Sequence, residues 1–148
     1  MNTLSLDDDN SILVSLGGDD GSVSVVSLNQ NEHQWVVNDK SRFPLAHAGC
    51  IVATRWLVPD KDDADEAWTN LASLGSDGRL ILWKINNSLH DHHLSIYRSF
   101  SLLVTVTDPH SMTVAQDPLN KSIYWFYIVG LGAQLLNIDL HTCYTDNQ

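Results

Sequence analysis

The fold is decided by the stretch Leu71-Ala72-Ser73-Leu74-Gly75-Ser76-Asp77-Gly78-Arg79-Leu80-Ile81-Leu82-Trp83. An apolar run leads into a turn of glycine, serine and aspartate, and a second apolar run follows that turn. Asp77-Gly78 suits a tight hairpin because glycine tolerates a positive φ and the aspartate side chain can accept hydrogen bonds from nearby backbone amides. The stretch therefore predicts two antiparallel strands joined by this turn.

Two further hairpins of similar shape are predicted. One has apolar runs over residues 12–16 and 22–28, on either side of a turn rich in glycine and aspartate. The other has apolar runs over residues 123–129 and 133–139. Short strands broken by glycine and aspartate are typical of an all-β fold. The turn residues that we single out in the three hairpins are Asp20, Gly21, Gly78 and Gly132.

The central hairpin resembles the signature of the WD-repeat family, in which a strand ending in Leu-Ala-Ser leads through an Asp-Gly turn to a strand ending in tryptophan. The resemblance implies a β-propeller, which is a ring of four-stranded antiparallel sheets called blades. It also implies a buried, hydrogen-bonded group of a histidine, a serine, an aspartate and a tryptophan. The residues in those four places are His47, Ser73, Asp77 and Trp83.

The repeat predicts a partial WD-repeat propeller of about three four-stranded antiparallel blades. The glycines at 21, 78 and 132 lie 57 and 54 residues apart. A standard WD blade has only ~40–45 residues, so the connections must contain the excess. We expect blade one at about 1–40, blade two at about 45–105, blade three at about 106–140, and a tail over 141–148.

The outer two hairpins match the signature less well than the central one. Val26 stands where the first hairpin would have tryptophan, while the third hairpin has Leu131 and Asn137 in place of the aspartate and the tryptophan. The resemblance extends over residues 12–140 and is specific only over residues 46–85. Blades one and three are therefore inferred mainly from their strand pattern.

Three blades cannot close a ring of four to eight blades, so two sheet faces are expected to lie open. We expect these faces to carry apolar residues such as Val23, Val25, Leu135 and Ile138. The remaining blades are expected upstream or in trans. Because large open apolar patches promote association, the isolated chain is expected to associate or to be only marginally stable.

Composition limits the classes of partner. Acidic residues outnumber basic ones by 18 to 8, which gives a formal net charge of −10 and disfavours direct contact with a phosphate backbone. Cys50 and Cys143 have no CxxC spacing, which favours a reducing compartment. The acidic N-terminal stretch and the short apolar runs favour a cytoplasmic chain without a membrane span.

His47, Ser73 and Asp77 also contain the residue types of a hydrolase triad, so a hydrolase-like enzyme or a small-ligand binder is the alternative function. A nucleophilic serine needs an exposed, strained position, whereas Ser73 lies inside a regular strand pattern. The sequence therefore favours a structural network and no enzymatic activity.

No metal or cofactor site is predicted. The cluster of His90, His92 and His93 lies in a polar linker and has no second ligand pair. The acidic run over 60–66 resembles a calcium loop but has Asp65 where that loop has glycine and Leu71 where it has glutamate. Both segments are interpreted as solvated connections.

The order of the hairpins, with Pro44-Leu45-Ala46-His47-Ala48 between the first two, resembles the C-terminal end of the WD repeat-containing protein 6 family. That family consists of large multi-propeller scaffolds. The resemblance implies a protein partner of the FtsJ-type methyltransferase class, which methylates the ribose 2′-oxygen at the tRNA wobble position. It implies that the chain is a non-enzymatic interaction scaffold that contacts tRNA only indirectly.

Overall fold

A computed structural model describes residues 1–5, 10–58, 68–88 and 93–145 of the chain. Within these ranges the chain is almost entirely extended, and one short helix ends it. The strands and the helix are β1 (Asn2–Ser5), β2 (Ser11–Gly17), β3 (Val23–Asn31), β4 (Gln34–Phe43), β5 (Ile51–Leu57), β6 (Trp68–Gly75), β7 (Arg79–Ser88), β8 (His93–Leu103), β9 (Thr107–Gln116), β10 (Ile123–Asp139) and α1 (Leu140–Thr145).

The strands form three antiparallel sheets in chain order. Blade one has the order β1-β2-β3-β4, and blade two has the order β5-β6-β7-β8. Blade three contains β9 and β10. Within each blade, every strand pairs with the one that follows it in the chain, as hairpins require. The predicted all-β fold, a partial propeller of antiparallel blades, is confirmed.

β10 folds back on itself. The backbone N–H of Leu140 donates to the carbonyl oxygen of Ser122 at 3.0 Å, and these residues flank the 17-residue strand. A straight strand between them would separate these two residues by about 60 Å. The midpoint between them is Leu131, next to Gly132, whose φ of 108° is open to glycine. Blade three therefore consists of β9 and two arms of β10, residues 123–129 and 133–139.

Blade two is buried on both of its faces. Side chains alternate between the two faces along a strand, so the central strands β6 and β7 each supply two rows. One row, with Leu71, Ile81 and Trp83, packs against blade one. The other row, with Leu74 and Leu82, packs against blade three. All five of these side chains are fully buried.

The core between blades one and two corrects one expectation from the sequence. Val23 and Val25 are fully buried against blade two instead of lying on an open face. Ile138 is likewise buried, between blades two and three, whereas Leu135 is 61% exposed as expected. The reason is strand register: Val23 and Val25 lie on the same face of blade one as Leu13, so Val26 points away from blade two.

The C-terminal segment is a helix where a tail over 141–148 was expected. Leu140 and Cys143 are three residues apart, which places them on one side of α1, and both are buried against the core of blades two and three. Residues 146–148 lie outside the described part. In the described ranges, no helix has the length and apolar character needed to cross a membrane.

The two-sided burial of blade two predicts a sharp contrast between two leucines. Leu82→Ala should lower the free energy of unfolding by about 2–5 kcal/mol, because it leaves a cavity in a fully packed interface. Leu135→Ala, at an exposed position of blade three, should change it by less than about 0.5 kcal/mol. Urea unfolding of both variants measures the difference. Equal effects would contradict the packing of blade two between two sheets.

Candidate functional site

The structure brings together His47, Ser73, Asp77 and Trp83, which come from different parts of the chain. His47 lies in the connection between β4 and β5, and Ser73 is in the middle of β6. Asp77 is in the turn between β6 and β7, and Trp83 is on β7. The strand pairing of β6 and β7 places the last three near one another, and the β4–β5 connection brings His47 against them.

The four side chains form one continuous hydrogen-bonded chain. The indole N–H of Trp83 donates to Ser73 Oγ at 2.8 Å. Ser73 Oγ lies 2.8 Å from His47 Nε2, and His47 Nδ1 lies 3.0 Å from Asp77 Oδ1. A carboxylate can only accept, so Nδ1 carries the imidazole proton and Nε2 accepts from the serine hydroxyl. Every polar group on this chain then has a partner, as burial demands.

Burial sets the charge state of the histidine. The His47 side chain is fully buried, and this burial lowers its pKa despite the opposing influence of Asp77. For Asp77, burial alone would raise the pKa, but the backbone amides of Ala48 and Arg79 and the imidazole of His47 donate to it and hold its pKa below the usual range. The pair is therefore a neutral histidine beside an ionised aspartate.

Two glycines hold the histidine in place, and the sequence analysis missed one of them. A Cβ on Gly75 would lie 2.3 Å from His47 Nδ1 and 2.4 Å from Asp77 Oδ1, so this position has no room for a side chain. Gly21, in the first blade, accepts a hydrogen bond from the His47 backbone amide at 3.0 Å. Its φ of 76° also favours glycine. Gly75 could have been noticed because Gly17 stands at the matching place in the first hairpin.

The remaining predicted turn residues take different roles. Gly78 has a φ of 74° in the turn after β6, and Gly132 has a positive φ where β10 reverses. Asp20 accepts hydrogen bonds from the Ser22 hydroxyl and amide and forms an ion pair with Arg42. The Ser22 hydroxyl, followed by its amide and Arg42, lowers the pKa of Asp20. Asp20 therefore stays at the surface and contacts no histidine in the described residues.

The described residues of blade one contain no counterpart of the complete network. Ser15 matches Ser73 in the repeat, but its hydroxyl contacts Thr54 Oγ1 at 2.9 Å on the neighbouring blade. Ser27 lies opposite Leu13, as Trp83 lies opposite Leu71. The sequence comparison had placed Val26 at the tryptophan position, which is wrong by one residue because the first hairpin has two more residues between its paired strands than the central one, one before and one after Asp20-Gly21.

A second polar contact joins blades one and two at their outer strands. Asp39 Oδ2 on β4 accepts from the backbone amide of Leu94 on β8 at 2.6 Å. This amide is the main cause of the lowered pKa of Asp39. His93 Nδ1 lies 3.6 Å from the same oxygen. The interface between the blades therefore has hydrogen bonds at its outer edge, at the network and between Ser15 and Thr54, with apolar side chains between the sheets.

The network has the atom order of a hydrolase triad but lacks access. Ser73 is fully buried, and its hydroxyl already accepts from Trp83 and donates to His47. A nucleophile must meet its substrate, which this serine cannot do without separation of blades one and two. The arrangement can therefore hold two blades together, and its geometry offers no route to acyl transfer.

The candidate metal segments give no site in the described part of the chain. Within residues 1–5, 10–58, 68–88 and 93–145, no three histidine, cysteine or acidic side chains are grouped for a metal ion. His90 and His92 lie outside these ranges, as does the acidic run over 60–66. His93 is described and its neighbour is Asp39.

Comparison with known proteins adds one relative. No known protein-family model matches the chain. The chain is similar to dynein axonemal intermediate chain 4 of Rattus norvegicus, with 30% identity over 83 residues. The matched segment is 55% of this chain and 10% of the rat protein, so the chain spans about a tenth of that relative's length. The similarity agrees with a WD-repeat-like fold.

The buried network predicts a large effect at Trp83. Trp83→Ala should cost about 3–5 kcal/mol of stability, because it removes a fully buried aromatic side chain and leaves Ser73 without a donor. Trp35→Ala, where the tryptophan is 46% exposed, is the matched control and should cost much less. Denaturant unfolding decides the matter, and a loss below about 1 kcal/mol for Trp83→Ala would argue against the interface described here.

The neutral state of His47 predicts a pH dependence. The unfolded chain takes up a proton on this residue near pH 6.5, whereas the folded pKa is lower. The contribution of His47 to stability is therefore complete above about pH 6.5 and is lost as the pH falls toward the folded pKa. We expect this slope in the native chain and in His110→Gln, an exposed control, but not in His47→Gln. Urea unfolding between about pH 5 and 8 measures it; an unchanged slope in His47→Gln would disprove a neutral buried histidine.

Proposed function

We propose that the chain is a non-enzymatic WD-repeat scaffold for protein–protein interaction. The observation that carries this proposal is the burial of Ser73 and His47 between two blades, with Asp77 hydrogen-bonded to the histidine at the partly exposed turn. His47, Ser73 and Asp77, which have the residue types of a hydrolase triad, form hydrogen bonds that hold the β4–β5 connection against blade two. The proposed protein–protein interaction therefore uses the surface of the chain. Loops and strand edges carry the function in many folds that host unrelated activities.

The outer strand of blade one offers a contact surface for a partner. Trp35, Val36 and Val37 lie together on β4 and are 46%, 46% and 58% exposed. β4 is the last strand of its sheet, so one of its edges has no neighbouring strand within the blade. Exposed aromatic and branched side chains on an edge strand favour pairing with another chain. This segment, residues 35–37, is the proposed partner contact.

The similarity to the rat protein supports a role as one subunit among several. Its name describes an intermediate chain of an axonemal dynein. A chain that matches a tenth of such a protein is expected to act through its surfaces in a similar way.

The finer proposal is that the partner is a FtsJ-type tRNA methyltransferase and that the complex works in the cytoplasm. Support comes from the resemblance of the hairpin order to the WD repeat-containing protein 6 family. The net charge of −10 adds a physical constraint, because an acidic chain would leave the tRNA contacts to a basic partner. The chain would then position the enzyme and take no part in methyl transfer.

A binding experiment tests this proposal in two arms. The full chain is titrated with tRNA in a filter-binding assay, alone and with the FtsJ-type methyltransferase of the same organism. We expect weak binding by the chain alone and retention of tRNA only with the enzyme present. Submicromolar binding by the chain alone, falling steeply with salt, would contradict the indirect role.

The protein contact is tested by co-precipitation of the methyltransferase. Val36→Asp places a charge in the proposed contact segment and should weaken co-precipitation by at least about tenfold. Leu119→Asp is the control, because Leu119 is 95% exposed and lies outside that segment. Equal loss in both variants, or in neither, would remove the support for residues 35–37 as the contact.

A further inference from the structure

The β3–β4 hairpin ends in a stretch with both faces open. All the residues from Gln34 to Asn38 are exposed, although side chains alternate between two faces along a strand. The rest of β4, from Asp39 to Phe43, is alternately half-buried and exposed, because one of its faces packs against blade two. The end of the hairpin therefore projects beyond the described strands of blade two.

Alternate main-chain groups of this stretch point away from β3. Gln34 closes a two-residue turn with Asn31, and Trp35 lies opposite Gln30. The backbone amide of Gln30 donates to the carbonyl oxygen of Asn10, on the side of β2, at 2.7 Å. In an antiparallel ladder, hydrogen-bonded pairs alternate with pairs that share no hydrogen bond. Gln30 and Trp35 are therefore a pair of the second kind, and the N–H and C=O of Trp35 face the open edge of the sheet.

Val37 repeats this arrangement two residues later. It lies opposite Leu28, which is two residues before Gln30 on β3, so the N–H and C=O of Val37 also face the open edge. In the described part of the chain, no other strand pairs with β4 on this side. Two outward residues offer two donors and two acceptors at the spacing of a β-ladder. A second extended chain can satisfy all of them.

The open edge is unprotected only over a short stretch. Natural sheets protect an edge strand with charged side chains, proline or a β-bulge. In β4 the register shifts at Asn38, and beyond this bulge Lys40 and Arg42 follow in the row of Trp35. Residues 34–37 contain neither a charge nor a proline. Pairing with another chain is therefore directed to residues 34–37.

A groove beside this edge favours one charge in the incoming chain. The groove has a volume of about 690 Å³ and is lined by Gln30, Asn31, Glu32, Gln34 and Val36. Three of these residues have carboxamides, whose oxygens accept hydrogen bonds, and Glu32 is the charged residue among them. Glu32 forms no ion pair within the described ranges. The groove is therefore suited to the ammonium group of a lysine or the guanidinium group of an arginine.

The turn that carries Glu32 has a strained backbone. The φ angles of Glu32 and His33 are 49° and 93°. A two-residue hairpin turn with positive φ at both positions is usually formed by asparagine and glycine, which tolerate these angles. Residues held at such angles raise the free energy of the fold and cluster at sites that bind ligands. The presence of a glutamate at this position therefore supports a role in binding.

We propose that residues 34–37 pair with an extended segment of the partner protein, and that a lysine or arginine of this segment enters the groove beside Glu32. Hydrogen bonds to the main chain of Trp35 and Val37 hold the segment, as in other proteins that bind a peptide at the edge of a sheet. One row of its side chains is apolar and covers Trp35 and Val37, while the basic side chain belongs to the other row. The net charge of −10 also favours a basic segment. The pairing specifies how the proposed contact at residues 35–37 is made, and so rests on the proposed function.

A synthetic strand tests the pairing on the full chain. The probe is the terminally blocked peptide Ser-Val-Lys-Val-Thr-Val-Lys-Val-Ser, which has valines on one face and lysines on the other. On addition of this peptide, we expect amide hydrogen exchange measured by NMR to slow at Trp35 and Val37. Exchange at Gln34 and Val36 should stay unchanged, because their amides already face β3. The same change at all four amides, or no change at any of them, would overturn the proposal.

A pair of variants at Val37 separates the main chain from the side chain. Val37→Pro removes one outward N–H, at an edge position where proline is tolerated, and should weaken peptide binding in calorimetry by at least about tenfold. Val37→Thr keeps the N–H and the branched shape and should weaken it by less than about threefold. Near-ultraviolet circular dichroism verifies that both variants fold. Native affinity in Val37→Pro would contradict pairing at this edge.

A second pair of variants tests the groove. Glu32→Gln should weaken binding of the lysine peptide by at least about threefold and leave unchanged the binding of a peptide with glutamine in place of lysine. Asp108→Asn is the control, because it removes the same charge from a side chain that is 60% exposed on blade three. Equal weakening by the two variants would indicate general attraction to an acidic chain and would rule out the groove as the site of the basic side chain.

Co-precipitation of the methyltransferase distinguishes failure of this pairing from failure of the proposed function. We expect Val37→Pro to lose the methyltransferase as Val36→Asp does, and Val37→Thr to retain it. Retention by Val37→Pro together with loss by Val36→Asp would mean that the contact uses side chains alone. The proposed function would then stand, and the strand pairing would be wrong.

Discussion

Blade two has a neighbouring sheet on each face, and this constraint governs the rest of the structure. A strand with one face in water can place its polar residues there, whereas a strand buried on both faces cannot. Ser73 lies on β6 between Leu71 and Gly75, where both rows of side chains are buried. Its hydroxyl therefore needs partners inside the interface, because a buried hydroxyl without them costs about 1–3 kcal/mol. His47 and Trp83 supply these partners, and Asp77 supplies one for the histidine.

The order of these hydrogen bonds, from aspartate to histidine to serine, is that of a catalytic triad. The network differs from a triad because a substrate cannot reach the buried serine hydroxyl. In a triad the serine hydroxyl is free to attack, and the histidine takes its proton as it does so. Here the lone pairs of Ser73 receive the indole N–H of Trp83, and a full sheet lies on each side. Burial also lowers the pKa of His47, which favours the neutral imidazole in this network. The contacts therefore stabilise the interface between blades one and two.

The sequence predicted the strands and turns well where the local chemistry decides them. The Asp77-Gly78 hairpin, the all-β fold and the meander of blades follow from turn residues and alternation, which are properties of neighbouring residues. The face that each side chain takes in blade one was harder to predict. Val25 and Val26 are adjacent in the sequence, and the two additional residues of the first hairpin, one on each side of Asp20-Gly21, decide which of them points inward. The packing of Cys143 was missed because a six-residue helix has too little periodicity to identify.

Gly75 shows why the remaining site residues could not be read from local pattern. Its role depends on His47, which is distant in the sequence and arrives from a connection between blades. The conformational propensity of glycine can be read from the sequence. The lack of space for a Cβ at Gly75 cannot, because it arises only when the β4–β5 connection brings His47 against blade two. The same reasoning applies to the open faces. Alternation makes the inner and outer rows of blade three equally apolar, and only the position of that blade at the end of the stack decides that Tyr127 is exposed while Phe126 is buried. Which face of a sheet is buried is therefore decided by which face has a neighbouring sheet, and local alternation cannot specify that.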